Sequence, residues 1–291
     1  MIYVVMGPTC SGKTEVANYL IDKFDCDAIN FDAFQIYQEM DIGTAKLAKD
    51  DPHYPRYHLL DIKRPDESFS VMEYQKLCRE EIDKLSIKFK DIILVGGTGL
   101  YVRAALYDYV FKEEDESDTS ELEKLSNDEL WEMLRQLDPI ESNKIHKNNR
   151  KRLVRAITLI NNSDKNKTEM LSEQEHKLVY DNIRFIYISP NRDTLYQNIN
   201  DRVIKMFDEG LIEEVKGLIS KYSLSLTAFQ GIGYKEVIQY LNKDISLEEC
   251  ISLVQQRTRN YAKRQVTFFK NQFKSEQYSS KEEVIKSLSE D

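Results

Sequence analysis

Ile2-Tyr3-Val4-Val5-Met6-Gly7-Pro8-Thr9-Cys10-Ser11-Gly12-Lys13-Thr14 runs from an apolar stretch of strand length through a glycine-bounded turn into the amphipathic segment Val16 to Phe24. The last eight of these residues fit G-x-x-x-x-G-K-[ST], in the strand-loop-helix context that this pattern requires. Gly7, Pro8, Thr9, Cys10, Ser11, Gly12, Lys13 and Thr14 are therefore the candidate diphosphate-binding residues. Glycines let main-chain N–H groups converge on phosphate oxygens at a helix N-terminus, Lys13 adds a point charge, and the Thr14 hydroxyl can ligate Mg²⁺. Such a loop is the mark of P-loop nucleotide-binding proteins, commonly ATP-binding. What it recognises, however, is a diphosphate rather than a base, so it does not establish ATP as the ligand. No acidic residue ends the strand at Val95-Gly96-Gly97, and no Asn-Lys-x-Asp guanine signature is present.

Outward from this loop, further strand-length apolar runs lie at Ala28 to Phe31, Ile92 to Val95 and Ile183 to Ser189, the first two alternating with helical patterns. That alternation predicts an α/β fold, a P-loop parallel sheet flanked by helices. Capping boxes at Ser70/Glu73, Ser126/Glu129 and Ser246/Glu249 predict three helix starts. The second helix should stop before Pro139, and Trp131 within it reads as core. About ninety residues between Val95 and Ile183 are too many for a loop, so residues 111–182 are expected to form a helical insertion domain. Residues 1–110 and 183–291 then make the catalytic core. From Leu195 onward the chain reads as a helical C-terminal region, with Gly210 ending one helix.

The 291 residues carry 41 Lys plus Arg and 50 Asp plus Glu, a formal charge of −9, with 41% hydrophobic residues. That composition excludes fibrous and disordered classes. The longest apolar start, Ile2 to Met6, is far below a membrane span, so a cytoplasmic protein without a membrane partner is expected. Cys10, Cys26, Cys78 and Cys250 have no C-x-x-C spacing, which points to free, buried thiols rather than a zinc site. Charge distribution says more than its sum. Seven acids and no base lie between Glu113 and Glu123, whereas Asn143 to Lys167 holds eight Lys or Arg against Asp164 alone. Gln255 to Ser275 holds six more and no acid. Two concentrated basic segments on an acidic protein suit local binding of a polyanion, although either alone could be a solvated helix face.

Two further stretches sit where a parallel sheet places ligands, after its strands: Asp32-Ala33-Phe34-Gln35-Ile36-Tyr37 and Gly96-Gly97-Thr98-Gly99-Leu100-Tyr101. Together with the phosphate loop, the chain resembles the tRNA dimethylallyltransferases, also called tRNA isopentenyltransferases, in their bacterial form. The likeness continues through Asp41-Ile42-Gly43-Thr44-Ala45-Lys46, His58-Leu59-Leu60-Asp61, Arg152 with Arg155-Ala156, Gly231-Ile232-Gly233-Tyr234-Lys235-Glu236 and Ala262-Lys263-Arg264-Gln265. Departures fall at Ala33, where the family usually has Ser, and at Lys147, Asn149 and Thr158. Ala33 removes a hydroxyl that could have contacted RNA.

The resemblance implies transfer of a dimethylallyl group from dimethylallyl diphosphate to the exocyclic N6 amine of the adenosine immediately 3′ of the anticodon in tRNA. It implies Mg²⁺ as cofactor, with Thr14 as its protein ligand, and the tRNA anticodon stem-loop as partner. Asp32 would be the general base and Thr98 a hydrogen-bonding group, while Arg202 would stabilise the leaving diphosphate. An aspartate directly after a strand also fits a helix N-cap. Asp32, Ala33, Phe34, Gln35 and Thr98 would meet the target base, and Lys151, Arg152, Arg155, Arg259, Lys263 and Arg264 the RNA phosphates. Arg152 and Arg155 are three apart and share a helix face, with Lys151 beside it and Lys147 and Lys144 about one and two turns earlier. A monomer is expected. A small-molecule P-loop kinase would share the loop but leaves the basic segments and Gly96-Gly97-Thr98 unexplained, and an isopentenyltransferase acting on free adenylate would need no basic helical arm.

Overall fold

The computed structural model describes residues 1–111, 119–162, 176–223 and 227–290. Its sheet has six strands, β1 (Ile2–Met6), β2 (Ala28–Asn30), β3 (Tyr57–His58), β4 (Ile92–Gly96), β5 (Ile183–Ile188) and β6 (Glu276–Tyr278). They are all parallel, in the order β3-β2-β4-β1-β5-β6. Every residue of β1 and β4 is buried, as continuous apolar runs in the middle of a covered parallel sheet must be. Val4 stands in register with Leu94 on one side and Phe185 on the other. The α/β expectation therefore holds, and four of the six strands lie where apolar runs placed them, to within a residue at their ends.

Among the described residues the helices are α1 (Lys13–Phe24), α2 (Val71–Lys88), α3 (Gly99–Leu106), α4 (Ser120–Lys124), α5 (Asn127–Leu137), α6 (Pro139–Lys144), α7 (Arg150–Asn161), α8 (Arg192–Asp208), α9 (Leu211–Lys221), α10 (Tyr234–Leu241), α11 (Leu247–Gln272) and α12 (Lys281–Glu290). All three capping boxes form as read, at the starts of α2, α5 and α11. Gly210, at φ 100°, follows α8 and caps the start of α9. α1 buries Val16, Ala17, Leu20 and Ile21 in a cluster that also takes Val284 and Leu288 of α12.

Two strands were not anticipated, and both are short, polar edges. β3 is two residues long, and its His58 Nε2 lies 3.1 Å from Asp27 Oδ2. β6, Glu276-Gln277-Tyr278, interrupts what reads as continuous C-terminal helix and is tied to β5 by Arg184 Nε donating to Glu276 at 2.8 Å. Neither carries the apolar run that reveals an interior strand.

The chain divides into two compact units, residues 1–106 with 180–291, and residues 107–179. The second has its own core of Leu130, Leu134, Ile145, Leu153, Ala156 and Ile157, against which Trp131 packs while donating Nε1–H to Ser142 O at 3.1 Å. Cys26, Cys78 and Cys250 are buried, but Cys10 is only partly so, a correction to the expectation that all four thiols are buried. No helix among the described residues is long and apolar enough to cross a membrane.

Candidate active site

The first unit places the loop after β1, Asp32 after β2 and Gly97 after β4 around one cavity of about 290 Å³ at the carboxyl ends of the strands, whereas Thr98 lines neither this cavity nor its neighbour. Thr9 to Glu15, Asn30, Asp32, Gln35, Gly97, Arg202 and Gln265 are among its lining residues. A second cavity, about 260 Å³ and richer in apolar groups, is lined by Phe34, Gly43, Met206, Ile232, Tyr234 and Arg264 among others. Thr9, Asp32, Thr44, Arg202 and Tyr261 line both. The glycine-bounded loop and a partly apolar chamber thus meet at a carboxylate.

Two polar atoms at this junction lack partners. Ser11 Oγ in the loop and Arg202 Nε on α8 are buried without a hydrogen bond. Buried groups of this kind are normally satisfied, and both residues line the first cavity. Lys13 Nζ donates to Pro8 O at 2.6 Å. Burial pulls the Lys13 pKa down from 10.5 to about 8; Asp32 and Cys10 partly counter this, while Arg202 adds to the lowering.

Asp32 is held by its turn. Asn30 Oδ1 accepts from Asp32 N at 3.1 Å, and Asp32 Oδ1 accepts from Phe34 N at 2.9 Å. No helix follows Asp32, so the N-cap alternative gives way to an Asx-type turn. Thr98 Oγ1 accepts from Ala33 N at 3.0 Å, fixing the turn from the neighbouring strand end. Gln265 bridges the two: its Oε1 accepts from Thr9 N at 2.9 Å and its Nε2 donates to Gly97 O at 2.8 Å. A Cβ on Gly97 would lie 2.4 Å from Gln265 Nε2, so a larger residue there would push this amide from its place.

Gln265 and Tyr261 were missed as site residues. Tyr261 lies within hydrogen-bonding reach of Thr98 and Gln265, and burial together with the Asp32 charge holds its hydroxyl well above the usual phenol range. The only signal for Gln265 was its place in the Ala262 to Gln265 block. Gln265 follows Tyr261 by four residues, about one turn of α11, so both reach the cavity, a spacing visible only once the helix is known to run from Leu247 to Gln272.

The basic residues divide. Lys151, Arg152 and Arg155 are exposed on α7 of the second unit. The continuous face expected to include Lys144 and Lys147 is corrected: α6 ends at Lys144, residues 145–149 are non-helical, and Lys147 pairs with Asp128 at 3.1 Å. Arg150 donates to Leu122 O, Glu123 O and Leu125 O and so ties α7 to the preceding segment. Lys165 and Lys167 of that run lie outside the described residues. On α11, Arg257 pairs with the fully buried Glu236 and Arg259 donates to Asn200 Oδ1 at 2.5 Å. Lys263 is exposed, and Arg264 lines the second cavity with its guanidinium 5.6 Å from the Tyr261 ring centre.

The IPP transferase family model matches residues 35–272. A tRNA dimethylallyltransferase of Anoxybacillus flavithermus is 42% identical over 286 residues, covering 98% of this chain and 92% of that protein. Among solved structures, a tRNA isopentenylpyrophosphate transferase from Staphylococcus epidermidis superimposes with a TM-score of 0.73 at 35% identity, covering 99% of this chain and 97% of that one. A eukaryotic dimethylallyltransferase acting on tRNA gives 0.79 at 27% identity, over 92% and 69% of the two chains.

Proposed function

The chain belongs to the IPP transferase family, and on that footing we propose that it moves a dimethylallyl group from dimethylallyl diphosphate to the N6 amine of the adenosine immediately 3′ of the anticodon in tRNA. The observation that carries this reading is the sharing of Asp32 and Arg202 by a phosphate-loop cavity and a partly apolar one. The diphosphate would be met by the loop N–H groups, Lys13 and the Arg202 side chain, which line the first cavity. The adenine would enter beside Phe34 and Tyr261, lifted from its stack. As the bond from the allyl C1 to the diphosphate oxygen breaks and the bond to N6 forms, charge collects on fixed cations and the N6 proton passes to Asp32.

Thr14 is exposed at the cavity. Among the described residues no cluster of three or more His, Cys, Asp or Glu could hold a metal. A cation here would therefore rest on one hydroxyl and the diphosphate oxygens, the sparse protein ligation that Mg²⁺ accepts. Bound there, Mg²⁺ would neutralise part of the leaving group's charge. Thr14→Ala should raise the Mg²⁺ concentration for half-maximal transfer about tenfold. A metal titration of initial rates checks this, and an unchanged midpoint removes Thr14 from the metal site.

The function itself is tested by incubating pure protein with labelled dimethylallyl diphosphate and unmodified tRNA. Label should enter RNA, and label remaining in the donor would refute the proposal. The α7 cations supply a separate test. Replacing Lys151, Arg152 and Arg155 together by Ala should flatten the slope of log tRNA affinity against log salt by about two to three units, because each phosphate contact releases counterions. Dimethylallyl diphosphate binding should hardly change. A parental slope would show these cations to be merely solvated and shift the RNA site toward Arg264.

A further inference from the structure

Residues 41–46, which carry Thr44 to both cavities, form turns but no helix or strand. Three consecutive main-chain N–H groups in this loop nevertheless converge on one carboxylate. Asp41 N and Ile42 N donate to Glu214 Oε2 at 3.0 and 2.6 Å, and Gly43 N donates to Glu214 Oε1 at 3.1 Å. The Tyr234 hydroxyl donates to the same Oε1 at 2.7 Å. Glu214 lies on α9 and Tyr234 opens α10, so these bonds attach a loop from the first fifty residues to helices more than 160 residues later. The fit is close, since a Cβ on Gly43 would stand 2.5 Å from the Tyr234 ring.

Glu214 itself lines neither cavity, but what it holds does. Thr44 O and Ala45 O accept from the Gln35 side-chain amide at 3.1 and 3.2 Å. The amide nitrogen is thereby held by the loop, and Gln35 lines the first cavity. At the other end of the loop the buried Lys46 ammonium donates to Tyr37 O, Asp41 Oδ1 and Asp61 Oδ1 at 2.6, 2.7 and 2.6 Å. Lys46 anchors one end; Glu214 decides where the middle stands. Bonds to a carboxylate are stronger than neutral ones, and the amides would lose a charged partner with the acid.

We infer that Glu214 is a positioning residue for the acceptor side of the reaction: its carboxylate, gripped by residues 41–43 and Tyr234, sets where Thr44 and the Gln35 amide stand relative to Asp32. This rests on the function proposed above, so one arm of the test is independent of transfer. Glu214→Gln keeps size but offers one accepting oxygen, with an NH₂ facing loop donors. Hydrogen exchange of a peptide covering residues 38–46 should accelerate at least tenfold in the variant. With tRNA as acceptor, kcat should fall roughly 10–100-fold, as a misplacement of about 1 Å can cost, while KM for dimethylallyl diphosphate stays at the parental value. Tyr234→Phe, which removes one of the four bonds, should lose only a few-fold in kcat and bypasses any folding failure of the first variant. Parental exchange and kcat in both variants would overturn the inference, as would a kcat loss accompanied by an equal weakening of donor binding. If the parent transfers nothing, the proposed function falls, and the exchange measurement still decides whether Glu214 holds the loop.

Discussion

Lys13→Ala is expected to cut transfer by roughly 10²–10³-fold or more, the scale seen in kcat when a preorganised donor to developing negative charge is removed, and to weaken dimethylallyl diphosphate binding. The lysine's setting makes this more than the loss of a surface charge. Its ammonium donates to Pro8 O at 2.6 Å, and burial brings its pKa to about 8. Because the folded value lies below the unfolded value of 10.5, the unfolded chain binds more protons between about pH 8 and 10.5. Stability contributed by this group therefore rises with pH across that window, and below it the fold carries a cation it would be easier without. Lys13→Ala should accordingly melt no lower than the parent at pH 7, even as donor binding weakens. In the parent, donor affinity should fall as pH rises through about 8 and the free lysine discharges. Calorimetric titration at pH 7 and pH 9 measures this, with melting curves alongside. Transfer within tenfold of the parent would remove the loop from the donor site.

The strand, turn and helix around Gly7 to Thr14 were legible because every part of them is local and lies within one short run. The interior strands were legible for the same reason, as burial on both faces writes a continuous apolar run. β3 and β6 were not, because two or three polar residues on an edge are held by pairs such as Arg184 with Glu276, whose partners are 92 residues apart. Gln265 is the equivalent case in the site. A glutamine on a long helix carries no sign of function until the fold sets it between Thr9 N and Gly97 O, 256 and 168 residues away. The basic run misled in the opposite direction. Counting charge treated Arg150 and Lys147 as equals of Arg152, whereas packing assigns Arg150 to three carbonyls and Lys147 to Asp128. Composition reports how many cations a segment has, and tertiary structure reports how many are already engaged.

Asp32→Asn should slow transfer by roughly 10²–10⁴, the range expected when a positioned proton acceptor is lost, with tRNA affinity near the parental value. The substitution separates position from proton transfer because of how the side chain is held. Oδ1 accepts the Phe34 N–H at 2.9 Å, a bond that the Asn oxygen can keep, and Thr98 holds Ala33 N independently. The turn should therefore survive, leaving at the other carboxylate position an NH₂ that cannot take a proton from N6. A second consequence runs through Lys13. Asp32 is the largest of the influences raising the Lys13 pKa against burial, so its removal should let that pKa fall below about 8. The decline of donor affinity with pH should then begin earlier in Asp32→Asn than in the parent. Single-turnover rates, filter-binding of tRNA and donor titrations across pH read the three quantities separately. Equal losses of rate and tRNA affinity would reassign Asp32 to holding the RNA, and an unmoved donor profile would show that it is not electrostatically joined to the phosphate loop.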